Sequence, residues 1–197
     1  MATEVALGFS SWQRVIKIMD EVTSRMLRVT AALDRAGIPY AVIGGNAVAT
    51  YVGRIDKGGV RLTVDVDLLM DRESLTAARE VLHEAGFFYH ETLDVHMFLD
   101  GPQASPREAV HVLFAGEKVQ PNYFEANPTI AESEAAERFR VVSLEALVRM
   151  KLTSYRRKDQ VHIQDIIGVG LIDASWPARF RPELAARLQV LLDDPLG

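Results

Sequence analysis

Apolar side chains recur at spacings of three and four through Val15, Ile18, Met19, Val22, Met26, Val29 and Leu33, and Gly37 follows as a stop. That period is helical, so residues 11–36 are expected to form one amphipathic helix. The pattern then shortens. Ile38 to Ile43 (IPYAVI) is an apolar run with β-branched members, and Gly44-Gly45 and NAVATYV follow it. This order reads as a strand, a tight turn and a short helix. After the charged loop GRIDKGGVR, Leu62 to Met70 alternates at first and then becomes wholly apolar, as a strand near the middle of a sheet would.

Asp71 is placed to cap a helix with Leu75, Ala78, Val81, Leu82 and Ala85 on one face, ending at Gly86. Val95 to Leu99 and Ala109 to Phe114 flank the turn-forming segment DGPQASPRE and are expected to pair as a hairpin. From Glu117 to Glu137, Pro121, Pro128 and scattered acids leave no period, which reads as loop or short helix. Ser143 suits an N-cap, and LEALVRMKLTSYRR, VHIQDIIGVGLI up to its glycines, and Pro182 to Leu192 read as helices. The expected fold class is therefore α/β (α+β), a small mixed sheet flanked by helices and closed by a helical carboxyl-terminal region. We expect one compact unit, with an N-terminal helix over 1–37, a core over 38–125 and a helical region over 126–197. No internal repeat or heptad array points to a solenoid or coiled coil. Trp12, Tyr40 and the run Phe87-Phe88-Tyr89 fall where strands and an amphipathic helix need apolar bulk, and so are expected in the core.

Composition narrows the chemistry. The 197 residues contain 48% hydrophobic and 25% charged residues, an ordinary globular balance. There is no cysteine, which excludes a disulfide framework, a thiolate zinc site and a cysteine nucleophile. The opening MATEVALGFSSWQRV lacks a basic segment followed by an apolar run, and no window is long and apolar enough for a membrane span. The expected location is cytoplasmic. A net charge of −5 argues against nonspecific coating of nucleic acid but leaves room for a local phosphate site.

Asp65 and Asp67 lie two apart in TVDVDLL. On a strand they share a face, and two carboxylates together suit a hard divalent cation such as Mg²⁺ or Mn²⁺. An edge strand with its acids in water would give the same tripeptide. The Gly44-Gly45-Asn46 turn offers close backbone approach and a helix start to a phosphate, although by itself it is a common strand-to-helix turn. Together, in this order, the turn and the acid pair could converge on one nucleotide. Arg61 could neutralise phosphate or pair with aspartates. Arg149, Lys151, Arg156, Arg157 and Lys158 cluster within one short stretch, a positive field suited to phosphate or a solvated helix face. Ser143 has no GxSxG surroundings and reads as a cap.

The pattern VIGGNAVA followed by RLTVDVDLLM resembles the nucleotidyltransferase superfamily with the DNA polymerase β type of fold. The segment VVSLEALVRMKLTSYRRKDQVHIQDI resembles the helical part of AbiEii-like nucleotidyltransferases, many of which are toxins of toxin–antitoxin pairs. The resemblance covers roughly residues 38–170, with the two halves in the family's order. It implies that Gly44, Gly45 and Asn46 hold the triphosphate of a nucleoside triphosphate such as ATP. It further implies that Asp65 and Asp67 bind the metal and that Lys151 contacts phosphate. Arg157, Lys158 and Asp159 match the basic and acidic step after the lysine helix, with Asp165 further on. The implied reaction moves a nucleoside monophosphate to an acceptor hydroxyl on RNA (tRNA among them), a protein or a small molecule, and an antitoxin would be a partner.

One departure stands out. The family's third acid is expected on the strand EAVHVLF, where His111 stands instead. Imidazole is a poor Mg²⁺ ligand, so His111 reads as a neutral general base or an interior histidine. Glu108 or Asp100 could substitute, except that Glu108 would point to the opposite face. This departure keeps two alternatives open: a nucleotide-binding protein with impaired turnover, and an oligomeric scaffold without chemistry.

Overall fold

The computed structural model describes residues 2–61 and 63–194, with residues 2–12 and Arg107 described by backbone alone, so the side chain of Trp12 lies outside the described residues. In chain order the elements are α1 (Ala2–Ala36), β1 (Tyr40–Ile43), α2 (Gly44–Ile55), β2 (Val66–Met70), α3 (Leu75–Glu84), β3 (Phe88–Thr92), β4 (Val95–Leu99), β5 (Val110–Phe114), β6 (Ser133–Ala135), β7 (Arg140–Val142), α4 (Leu144–Ser154), α5 (Arg157–Gly168) and α6 (Pro182–Asp193). The strands form one mixed sheet in the order β3-β4-β5-β2-β1-β7-β6. This is the mixed α/β architecture that the periodicity predicts.

The central strands are apolar throughout because helices cover both of their faces. Tyr40 and Val42 of β1, with Leu68 and Met70 of β2, belong to the core under α1 and α3. Ala41, Ile43 and Leu69 belong to the second core, under α2 and α4 to α6. Tyr40 and Phe87 are fully buried as expected, whereas Phe88 and Tyr89 are only half-buried in β3. Among the described residues no helix is long and apolar enough to cross a membrane.

Several boundaries differ from the expectation, each for a local reason. The strand expected from Leu62 begins at Val66, and Leu62 itself lies outside the described residues. The backbone ahead of β2 is taken up by side chains instead of a neighbouring strand: Arg25 donates to the Val64 carbonyl (3.2 Å) and Asn46 donates to the Asp65 carbonyl (2.8 Å). The glycine pair is the first turn of α2 rather than a separate turn. The expected pairing of β4 with β5 is present, and β3 extends it through the two-residue turn Leu93-Asp94, both at positive φ. Within the stretch without period, β6 forms, and with β7 it adds an antiparallel edge to the sheet. Tyr155, at φ 47°, divides the helical run after Ser143 into α4 and α5.

Candidate active site

Register brings the site together. Asp67 pairs with Ile43 across the antiparallel β1–β2 ladder and with His111 across the parallel β2–β5 ladder. Residues opposite one another share a sheet face, so His111 stands beside Asp67 where a third carboxylate was sought. Its Nδ1 is 3.8 Å from Asp67 Oδ1. Asp100 is committed elsewhere, to Arg25 (3.3 Å) and Arg28. Glu108 is exposed in the turn before β5.

The glycine pair explains itself by what lies against it. Gly44 has φ +69°, and a Cβ there would lie 1.9 Å from Asp67 Oδ2. A Cβ on Gly45 would lie 2.9 Å from the Thr63 Cβ. The first turn of α2 therefore presses directly on the Asp67 carboxylate, and only glycine permits that approach. Gly44→Ala is expected to cost about 1–3 kcal/mol for the left-handed backbone alone. It should also displace the carboxylate, so nucleotide should cease to shift the melting midpoint even where the variant remains folded by circular dichroism.

Burial pushes the Asp67 carboxyl up, and the Asp65 charge adds to this, while His111, Lys151 and Lys158 oppose it. The cations reach Asp67 from α4 and from the start of α5. Lys151 is buried, and its Nζ lies 3.1 Å from Asp159 Oδ1. Asp159 is fully buried and also accepts from Ser154 Oγ (2.8 Å), the Arg156 backbone N–H (3.2 Å) and Arg156 Nε (2.8 Å). Burial raises the Asp159 carboxyl, but Arg156, Lys151 and Ser154 outweigh it and hold the group at about 2. Lys151, with only that one carboxylate in contact, is pushed down by burial. The asymmetry follows from donor number: Asp159 is well satisfied and Lys151 is only partly compensated. Asp159 faces its own chain, so its bearing on a ligand runs through Lys151 and Arg156.

Lys158 and Arg157 are exposed on the first turn of α5, where the helix dipole adds to their charge. Arg157 makes no hydrogen bond or ion pair with another described residue. Arg61 settles one alternative left open by the sequence: its Nε donates to both oxygens of Asp165 on α5 (2.9 and 2.7 Å), not to the acid pair. The sequence reading missed His162. It lies four residues after Lys158 and three before Asp165, hence on one helix face with them, and that spacing was the available signal. Burial and the Lys151 charge push His162 down to about 4, so the ring is neutral, and its Nδ1 is buried without a hydrogen-bond partner.

Among the described residues no three His, Cys, Asp or Glu side chains converge as a complete metal cage. Two carboxylates, one of them buried and short of counter-charge, fit a Mg²⁺-type ion that takes its remaining ligands from a phosphate chain and water. Asp65 and Asp67 are the residues that would hold it.

No family model and no curated protein matches the sequence. Solved structures do match in fold. A nucleotidyltransferase-like antigenic protein from Paracoccidioides brasiliensis aligns with TM-score 0.60 at 21% identity, covering 89% of each chain. ANT(2'')-Ia in complex with adenylyl-2''-tobramycin aligns with TM-score 0.55 at 19% identity, over 87% of this chain and 98% of that one. The solution structure of the same antibiotic-resistance factor gives 0.54 at 17%, over 88% and 92%. At these identities the likeness is one of architecture: the chain has the nucleotidyltransferase fold.

Proposed function

We propose that this protein transfers a nucleoside monophosphate from a nucleoside triphosphate to an acceptor hydroxyl. The observation that carries the reading is the Asp67 carboxylate, seated on the Gly44 turn and faced by Lys151 and Lys158. In this reading the first turn of α2, with Gly44, Gly45 and Asn46, receives the triphosphate, and Lys151, Arg157 and Lys158 neutralise it. Bound at Asp65 and Asp67, Mg²⁺ or Mn²⁺ would supply charge neutralisation at the reacting phosphate. The acceptor oxygen attacks the α-phosphorus in line, and the bond to the bridging oxygen breaks as pyrophosphate leaves. Arg61, paired with Asp165, lies within reach of exchange to an anionic ligand. The resemblance to AbiEii-like proteins extends the proposal to a toxin held by an antitoxin, with tRNA among the acceptors. Growth arrest on expression, relieved by the Asp65 and Asp67 substitutions, is the expected sign.

A second reading is favoured by His111 in register with Asp67: a protein that binds nucleotide with little turnover. Thermal melts of wild type and Asp65→Asn/Asp67→Asn with each nucleoside triphosphate, with and without Mg²⁺ or Mn²⁺, test the site. At a hundredfold excess over Kd the midpoint should rise by about 5–10 °C in wild type only. Pyrophosphate release then separates transfer from binding alone. No rise with any nucleotide would sink both readings in favour of a scaffold.

A further inference from the structure

The half of the sheet beyond Asp67 indicates which acceptor the site takes. Asp67 pairs with His111, His111 with Met97 and Met97 with His90, so one row runs from the acid pair across β5 and β4 to the edge strand β3. By the pleat, these side chains share a face, with Leu113 of β5 and Val95 of β4 beside them. The core helices do not close this surface. His90 is exposed, Val95 is 45% exposed and His111 is only partly buried. Met97, 4% exposed, forms its floor and belongs to neither core.

The charge on this face is as informative as its shape. The acids of β3 and the end of β4 are turned to other partners. Glu91 accepts from Tyr89 Oη (2.8 Å), which contacts His96 on the side of Phe114 and the α1–α3 core. Asp100 is held by Arg25 and Arg28. What remains beside Asp67 is two imidazoles, a thioether and aliphatic groups, under the cationic start of α5. A polycationic acceptor would find no carboxylate there to replace its lost hydration. A flat ring would find imidazole faces and a polarisable sulfur.

We infer that the acceptor is an uncharged molecule whose hydroxyl adjoins an aromatic or heteroaromatic ring, seated on the His90–Met97–His111 row. This rests on the transferase reading above. In the step, the acceptor oxygen forms its bond to the α-phosphorus, its proton is released to water, and pyrophosphate departs with the electrons of the broken bond.

The test is transfer of label from α-³²P nucleoside triphosphates to three probes: N-acetyltyrosinamide, adenosine and the polycation tobramycin. Wild type should label one or both ring-bearing probes at least tenfold faster than tobramycin. His90→Glu and Val95→Glu, at exposed edge positions, should keep the nucleotide-dependent melting shift while raising the KM for the ring-bearing probe at least tenfold. Preferential labelling of tobramycin, or labelling of none of the three while the nucleotide shift is intact, would overturn the inference. So would an unchanged KM in both edge variants. Loss of the nucleotide shift in wild type is a different failure, since it removes the transferase reading and this inference with it.

Discussion

Replacing Asp159 with alanine is expected to cost about 3–5 kcal/mol, the largest single-residue loss of stability in the chain, because it strands a buried ammonium. Lys151 is 5% exposed and Asp159 fully buried, and Asp159 also receives Ser154 and Arg156. Without the carboxylate, the Lys151 charge and the Ser154 hydroxyl lose their partner together. Lys151→Met should cost less, since Asp159 keeps Arg156 and Ser154. The double variant should recover part of the loss seen in Asp159→Ala, and a double-mutant cycle by chemical denaturation reads that coupling. Acidity supplies an independent check. The folded carboxyl, held at about 2, keeps its proton less tightly than the unfolded chain, whose value is about 3.9. Its stabilisation is therefore complete above the unfolded value and lost as pH falls through the folded one, a loss that Asp159→Asn should not show. Lys151→Met also addresses function: a folded variant without the nucleotide-dependent melting shift would give Lys151 its phosphate contact.

The contrast between Asp159 and Asp67 shows what a sequence can and cannot convey about a site. Periodicity carried the long helix, the apolar central strands and the glycine turn, because each buries a face and burial leaves a repeating mark. The edge strands left little mark. β3 reads FYHET, half polar, and β6 reads SEA, three residues paired on one side only. The turn between β3 and β4 places Leu93 at φ 48°, where glycine or asparagine would have signalled it. Within the site, the spacing of Asp65 and Asp67 was visible, but the pairing of Arg61 with Asp165 joins residues 104 positions apart and depends on how α5 crosses the mouth of β2. Asp159 looked like one more polar residue in a basic stretch. Only the packing of α4 against α5 turns it inward and makes it the anchor of Lys151 and Arg156.

Asp67→Asn should move stability and activity in opposite directions. Burial raises the folded carboxyl above its unfolded value, so the folded state holds that proton more tightly. Stability consequently falls as pH rises past about 3.9, and at neutral pH the ionised group is a net cost that His111, Lys151 and Lys158 only partly offset. Asparagine keeps the shape and removes the charge, and a gain of about 1 kcal/mol would raise the midpoint by about 2–4 °C in a chain of this size. Transfer should fall at least about 1,000-fold, since the cation and the charge it neutralises at the phosphate are worth several kcal/mol. Melts without ligand and pyrophosphate release with saturating nucleotide measure the two effects in one preparation. A strand carboxylate serving only structure predicts the reverse: a lower midpoint and an unaltered response to nucleotide. A carboxylate that destabilises the empty protein, yet is required for its reaction, is one retained for the ligand, because the fold would be better off without its charge.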